Sequence, residues 1–186
     1  LALLTAVGVI LMGAMLVRER RRLRAEARIR ALALTDPLTG LPNRRAFQDE
    51  LTRAIGLARR TDSTLALLMI DLDHFKEVND TYGHGQGDVV LVESAKIFRH
   101  HTREVDTVCR LGSDEFALVV RADDALAATQ AVQDVVNALT HPFWIGGQAL
   151  QTGLTVGLAY APRDGETGDE LTRRAGLALQ AAKRHS

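Results

Sequence analysis

Hydrophobic and polar positions alternate along the chain in three successive rhythms. Residues 1–17 (LALLTAVGVILMGAMLV) are uncharged and mostly apolar. Residues 18–34 are rich in Arg, Ala, Leu and Glu, contain no Gly or Pro, and read as a continuous helical stalk. From Asp36-Pro37 onward, short apolar runs and helical spacings take turns. Phe47, Leu51, Ile55 and Ala58 share a face and predict a helix over 43–60. Thr64–Ile70 (TLALLMI) is a continuous apolar run, the pattern of a central strand covered on both faces, and Asp71-Leu72-Asp73 closes it. A short helix is expected over 74–79. Thr81–Gly87 (TYGHGQG) reads as a Gly-rich loop, with Asp88 capping a helix over 89–101 whose apolar positions include Val90, Leu91, Ala95 and Phe98. Thr107–Leu111 and Glu115–Val120 read as strands joined at Gly112-Ser113-Asp114. A helix over 124–140, a strand pair Phe143–Ile145 and Ala149–Ala159 around Gly146-Gly147, and a last helix Glu170–Lys183 complete the pattern. Helices alternating with hairpins predict an α+β domain with a mainly antiparallel sheet flanked by helices.

Charge sharpens this organisation. The 23 basic and 23 acidic residues cancel, but not locally: residues 18–30 hold seven Arg and two Glu, a net of +5, which leaves the rest of the chain at −5. Seventeen uncharged residues lie at the lower edge of the roughly 20 that a membrane-spanning helix needs, and the Arg run follows them as positive charge follows a span on its cytoplasmic side. The expected division is therefore 1–17 as the C-terminal part of a transmembrane helix, 18–35 as a basic juxtamembrane stalk, and 36–186 as a globular domain on the cytoplasmic side. One cysteine excludes an internal disulfide and a Cys-based zinc cluster. A neutral balance and eight aromatic residues weigh against nucleic acid as a partner.

The chemistry concentrates where strands end. Asp71 and Asp73, two apart, can project the same way from the end of a buried strand, and Asp114-Glu115 occupy a hairpin tip. If those strands are neighbours, three or four carboxylates converge on one rim and require a cation between them. Such hard oxygen donors suit Mg²⁺, which keeps waters and accepts phosphate oxygens as further ligands. A helix N-terminus after Asp73 and Lys76 in its first turn would face an anion. Together these describe a nucleoside triphosphate–Mg²⁺ site for phosphoryl or nucleotidyl transfer. Singly, each has an ordinary structural reading: Asp73 as a helix cap, Asp114-Glu115 as turn residues, and a Gly-rich loop without the GK[ST] of a P-loop.

Taken in order, the motifs DPLTGLPNRR (36–45), DLDHFKEVNDTYGHGQGD (71–88), RLGSDEF (110–116), Thr155-Val156-Gly157 and the helix end Ala178–Lys183 resemble those of the GGDEF family of diguanylate cyclase domains. The resemblance implies a palm-like fold of the nucleotidyl cyclase (ferredoxin-like) kind. It implies condensation of two GTP into cyclic di-GMP and two pyrophosphates, each GTP held by one domain of a homodimer. By the same resemblance Asp71 and Asp114 would hold Mg²⁺ (or Mn²⁺), with the Leu72 carbonyl and Glu115 supporting. Asp114 would accept the proton, Lys76 would neutralise developing phosphate charge, and Asn79 and Asp88 would read guanine. His84, Phe75 and Gly112 would line the substrate, and Lys183 would reach the terminal phosphates. Arg103 and Asp106, an RxxD before the signature, would form an inhibitory cyclic di-GMP site. The implied setting is the bacterial inner membrane.

Several positions depart from the family pattern. Ser113 stands where a second glycine is usual; were φ positive there, Ser would cost about 1 kcal/mol. Gly176 and Gln180 replace the usual Asp and Tyr, and the basic residue expected one turn after Lys183 lies beyond Ser186, which reads as a cut C-terminus. GSDEF together with HPFWIGGQAL resembles versions fused to a C-terminal EAL phosphodiesterase domain. That suggests an alternative: a weak or inactive GTP-binding domain that regulates its neighbour.

Overall fold

The computed structural model describes residues 12, 15, 18–20, 22, 33–138, 143–145, 148–150 and 153–184. The membrane-helix reading of 1–17 and most of the stalk lie outside these residues. Among the described residues, no helix is long and apolar enough to cross a membrane.

The chain runs α1 (Arg44–Thr61), β1 (Thr64–Leu72), α2 (Phe75–Tyr82), α3 (His84–His100), β2 (Thr107–Arg110), β3 (Glu115–Ala122), α4 (Ala125–Ala138), β4 (Phe143–Ile145), β5 (Gln148–Leu150), β6 (Leu154–Ala161) and α5 (Gly168–Lys183). The main sheet has the order β2-β3-β1-β6, and every neighbouring pair is antiparallel. The predicted α+β class with a helix-flanked antiparallel sheet holds.

The continuous apolar run of β1 explains its central place. Ala66, Leu68, Ile70 and Leu72 enter a core with residues of α2, α3 and α4, including Phe75, Phe98 and Ala128. Leu65, Leu67 and Met69 enter a second core with Phe47 and Leu51 of α1 and Leu171, Ala175 and Leu179 of α5. A strand whose two faces are both covered has no polar alternation to show. Cys109 is buried in the second core, where desolvation first and Glu50 second push its thiol up to about 12, so it is inert packing.

Two readings need correction. Thr81–Gly87 is not a loop: α2 runs to Tyr82, α3 begins at His84, and only Gly83 breaks them, with φ +84°. Asp88 therefore lies inside α3 and does not cap it. Gly87 lies within α3, packed so closely on Asn79 that a Cβ there would overlap that side chain. The stretch 149–159 is not one strand. β5 pairs with β4 in a separate two-stranded sheet, whereas β6 pairs with β1 only from Leu154, opposite Leu72. A strand from Ala149 would have run past the end of its partner.

Candidate functional site

The site is built where β1, β3 and β6 end together. Register sets Asp71 directly across from Glu115 on one side and from Thr155 on the other. The hairpin after β2 closes through Leu111 N–H to the Glu115 carbonyl at 2.8 Å, and the Leu72 N–H reaches the Asp114 carbonyl at 3.2 Å. The strands are thus neighbours, and Asp71, Asp114 and Glu115 share one rim. Asp73 leaves that group. Its carboxylate accepts from Thr155 Oγ1 at 2.6 Å, and its N–H binds the Gly153 carbonyl at 2.9 Å. It does not cap α2: His74 stands at that position, in the left-handed region at φ +57°, with no side-chain capping bond.

Each rim carboxylate already has a partner within the chain. Lys183 Nζ lies 2.6 Å from Asp71 Oδ2. Arg44 donates from Nη2 to Glu115 Oε2 at 3.0 Å and from Nε to the Leu111 carbonyl at 3.0 Å. The Ser113 hydroxyl donates to Asp114 Oδ1. Burial raises the Asp71 pKa, Lys183 opposes that shift, and Asp114 and Glu115 add to it; the outcome is a carboxyl above its ordinary value. With each carboxylate turned to its own donor, no three His, Cys, Asp or Glu among the described residues are gathered into a ready metal cage. Two carboxylates and a backbone oxygen are nevertheless what Mg²⁺ takes from a protein when waters and phosphates complete its shell. Asp71 stays above its ordinary value even with Lys183 beside it, so added positive charge at this rim is electrostatically favourable.

Ser113 is not strained. Among the described residues only Asp62, His74, Gly40 and Gly83 have positive φ, so the possible cost attached to Ser113 does not arise.

The motif at 36–45 is part of the same construction. Asp36 Oδ1 accepts from Thr39 N at 2.8 Å, Thr39 Oγ1 at 2.7 Å and Arg110 Nη1 at 3.0 Å, while Arg110 Nη2 donates to the Ser113 carbonyl at 2.8 Å. Burial would raise Asp36, but the Thr39 and Arg110 bonds overcome it and hold the carboxyl below its ordinary range. Asn43 caps α1 through Arg45 N and Ala46 N, and its amide donates to the Ala33 carbonyl at 3.0 Å. The end of the stalk, the start of α1 and the signature hairpin are therefore one hydrogen-bonded unit. The contacts of Arg44, Arg110, Asp36 and Thr155 are not visible in the sequence, although all four residues lie inside its motifs.

The remaining sequence candidates lie around the α2–α3 corner. Asn79 sits against Gly87, next to the exposed Asp88, and His84 is exposed at the start of α3. Lys76 is exposed in the first turn of α2. Phe75 is 7% exposed and packs in the core, its ring tip beside Gly87. Gly112 lies beside Glu115.

Arg103 and Asp106 form a separate unit at the far end of β2 and β3. Asp106 is 3% exposed at its side chain and accepts from Arg103 N at 3.0 Å, Arg103 Nε at 3.2 Å and Arg121 N at 3.1 Å. Arg103 Nη2 also donates to the Arg121 carbonyl, and Arg121 donates back from Nε to the Val105 carbonyl at 2.8 Å. Gly40, Leu41, Pro42 and Arg99 border a cleft beside this turn.

The family described as Diguanylate cyclase, GGDEF domain, matches residues 33–186. The chain is 41% identical over 160 residues to the bifunctional diguanylate cyclase/cyclic di-GMP phosphodiesterase MucR of Pseudomonas aeruginosa, covering 86% of this chain and 23% of MucR. It is 39% identical over 153 residues to the diguanylate cyclase TpbB of the same species, covering 81% of this chain and 35% of TpbB. It thus spans between a fifth and somewhat over a third of the length of the curated relatives it matches. The crystal structure of the coiled coil and GGDEF domain of DgcB from Caulobacter crescentus in complex with c-di-GMP superposes with a TM-score of 0.81 at 29% identity, covering 97% of this chain and 95% of that one. Fold, motif geometry and these similarities agree: the chain belongs to the GGDEF diguanylate cyclase domain family.

Proposed function

We propose that this domain condenses two GTP into cyclic di-GMP and two pyrophosphates, as one half of a homodimer. The observation that carries the reading is the register that sets Asp71 against Glu115 and ties Asp114 to the end of β1. In this reading Asp71, Asp114 and the Leu72 carbonyl hold Mg²⁺ or Mn²⁺, with Glu115 beside them. The metal supplies charge for the triphosphate and for the oxygen that attacks. Asp114 takes the proton from the 3′-hydroxyl of the GTP on the facing domain. That oxygen then bonds to the α-phosphorus, and pyrophosphate leaves. Lys76, at the uncapped N-terminus of α2, neutralises charge that develops on the phosphates. Asn79 and Asp88 accept from the guanine N1–H and 2-amino group, with His84, Phe75 and Gly112 around the nucleotide. Lys183 reaches the terminal phosphates. Neither domain alone presents both reacting atoms, so turnover requires two.

Product feedback belongs to the same proposal. Arg103, 57% exposed at its side chain, would clamp the phosphates of cyclic di-GMP, while Asp106 holds the turn that presents it. The apolar 1–17 segment and its basic collar would anchor the dimer at a bacterial inner membrane with this domain on the cytoplasmic side.

A second reading has one observation in its favour. The Ser113 hydroxyl occupies one oxygen of Asp114, the carboxylate that the first reading uses as proton acceptor, which fits a GTP-binding regulator of an attached EAL phosphodiesterase domain. Incubating the purified chain with GTP and Mg²⁺ separates the two. Cyclic di-GMP made by the native chain and lost in Asp114→Asn supports the cyclase. GTP bound and left unchanged supports the regulator.

A further inference from the structure

We infer that Lys183 is the resident cation of the Asp71 carboxylate in the nucleotide-free protein, so that divalent metal and triphosphate enter the site as mutually dependent ligands. This rests on the proposed metal–nucleotide reading of the rim and adds to it a coupling between the two ligands.

The contact is built into the fold. Leu171, Ala175 and Leu179 form the buried stripe of α5, and Lys183 is the next position on that four-residue spacing. The helix starts from a Thr167–Glu170 capping box. It lies so close to β6 that a Cβ at Gly157 would overlap the Ala175 carbonyl oxygen and the Leu179 nitrogen. Pressed against the sheet in this way, α5 delivers the Lys183 ammonium to Asp71 at 2.6 Å. The two ends differ in freedom. The Asp71 side chain is 10% exposed and fixed in a strand, whereas Lys183 is 43% exposed on a flexible stem. The carboxylate stays where it is, and the ammonium is the group that can leave.

Where it goes decides the energetics. A divalent ion arriving alone must displace the ammonium and then sit a few ångströms from it, two like charges at a desolvated carboxylate. A triphosphate arriving with the ion offers the ammonium a new anionic partner, within reach of the same stem. Metal binding is therefore weak without nucleotide and strong with it. By linkage the metal strengthens nucleotide binding by the same factor. The arrangement also keeps Asp71 paired, rather than bare, whenever the site is empty of substrate.

The test uses Mn²⁺ as the probe, with free ion measured by electron paramagnetic resonance, and 3′-deoxy-GTP as a nucleotide that lacks the attacking hydroxyl. Lys183→Met should bind Mn²⁺ alone about tenfold more tightly than the native chain, a gain of about 1.4 kcal/mol. The further tightening on adding 3′-deoxy-GTP should shrink by a similar factor. Lys183→Arg retains the charge and should stay near native affinity. The double change Lys183→Met with Asp71→Asn should lose the gain, which ties it to this carboxylate. Nucleotide-free Mn²⁺ affinity that is unchanged or weaker in Lys183→Met overturns the inference. A chain that shows the expected Mn²⁺ pattern yet makes no cyclic di-GMP retains the coupling and loses the cyclase reading instead.

Discussion

Two acidic sites sit at opposite ends of the strand pair β2–β3, and their carboxylates are held in opposite ways. At one end Asp106 is enclosed and accepts three hydrogen bonds, two of them from backbone N–H groups. At the other end Asp71, Asp114 and Glu115 each take one donor from a side chain: Lys183, Ser113 and Arg44. A carboxylate bonded to backbone cannot exchange partners without unfolding its turn. A carboxylate bonded to the tip of a lysine or arginine can. In the proposed reading the first arrangement is structural support and the second is a site whose partners exchange for ligands. What separates them is the origin of their donors.

The largest effect should come from removing a rim carboxylate. Asp71→Asn should lower cyclic di-GMP synthesis about a thousandfold or more, since several kcal/mol of charge stabilisation go with it. Its metal-free stability should not fall. The raised pKa of Asp71 means that ionisation works against folding as pH rises from the unfolded towards the folded value. Thermal unfolding with and without Mg²⁺ and GTP, beside turnover, checks both halves. Asp106→Asn is the matching change at the other end. It should weaken the fold by about 1–3 kcal/mol in urea unfolding and leave rim chemistry in place.

Next in size is the Asp36–Arg110 pair. Both side chains are largely buried, so Asp36→Ala should cost about 2–3 kcal/mol at neutral pH. The sign of the pH dependence follows from the lowered Asp36 pKa. The stabilisation is complete above the ordinary carboxylate pKa and is lost as pH falls through the folded value, so native and variant unfolding curves should converge in acid. Gly157→Ala comes third, at about 1–3 kcal/mol for forcing α5 off the sheet. It should also raise the KM for GTP, through the shifted Lys183. Ser113→Gly should be smallest: without positive φ there is no strain to relieve, so synthesis should change by less than about tenfold. A variant that switches synthesis on from nothing would favour the regulatory reading.

Much of this was legible in the sequence, for identifiable reasons. The β1 run TLALLMI needed no partner to announce a doubly covered strand, and the strand-end positions of Asp71 and of Asp114-Glu115 pointed to a shared rim, whereas the two-residue spacing that suggested Asp73 beside them did not hold. The corner at Gly83 was not legible, because glycines that mark a loop when counted also permit helices to pack; Gly87 is there for Asn79, a contact that only tertiary structure displays. The break between β5 and β6 depends on where β1 ends, which is long-range information. Asp73 shows the same limit. Its sequence position suits the rim or a cap, yet Thr155, 82 residues away, draws it to neither.

The most direct measurement is the initial rate of cyclic di-GMP and pyrophosphate release from GTP and Mg²⁺ across a range of protein concentrations. Two facing sites predict one cyclic di-GMP for every two pyrophosphates, with a rate that rises as the square of protein concentration while the dimer is still forming. Bound GTP with neither product at any concentration would contradict catalysis at this rim.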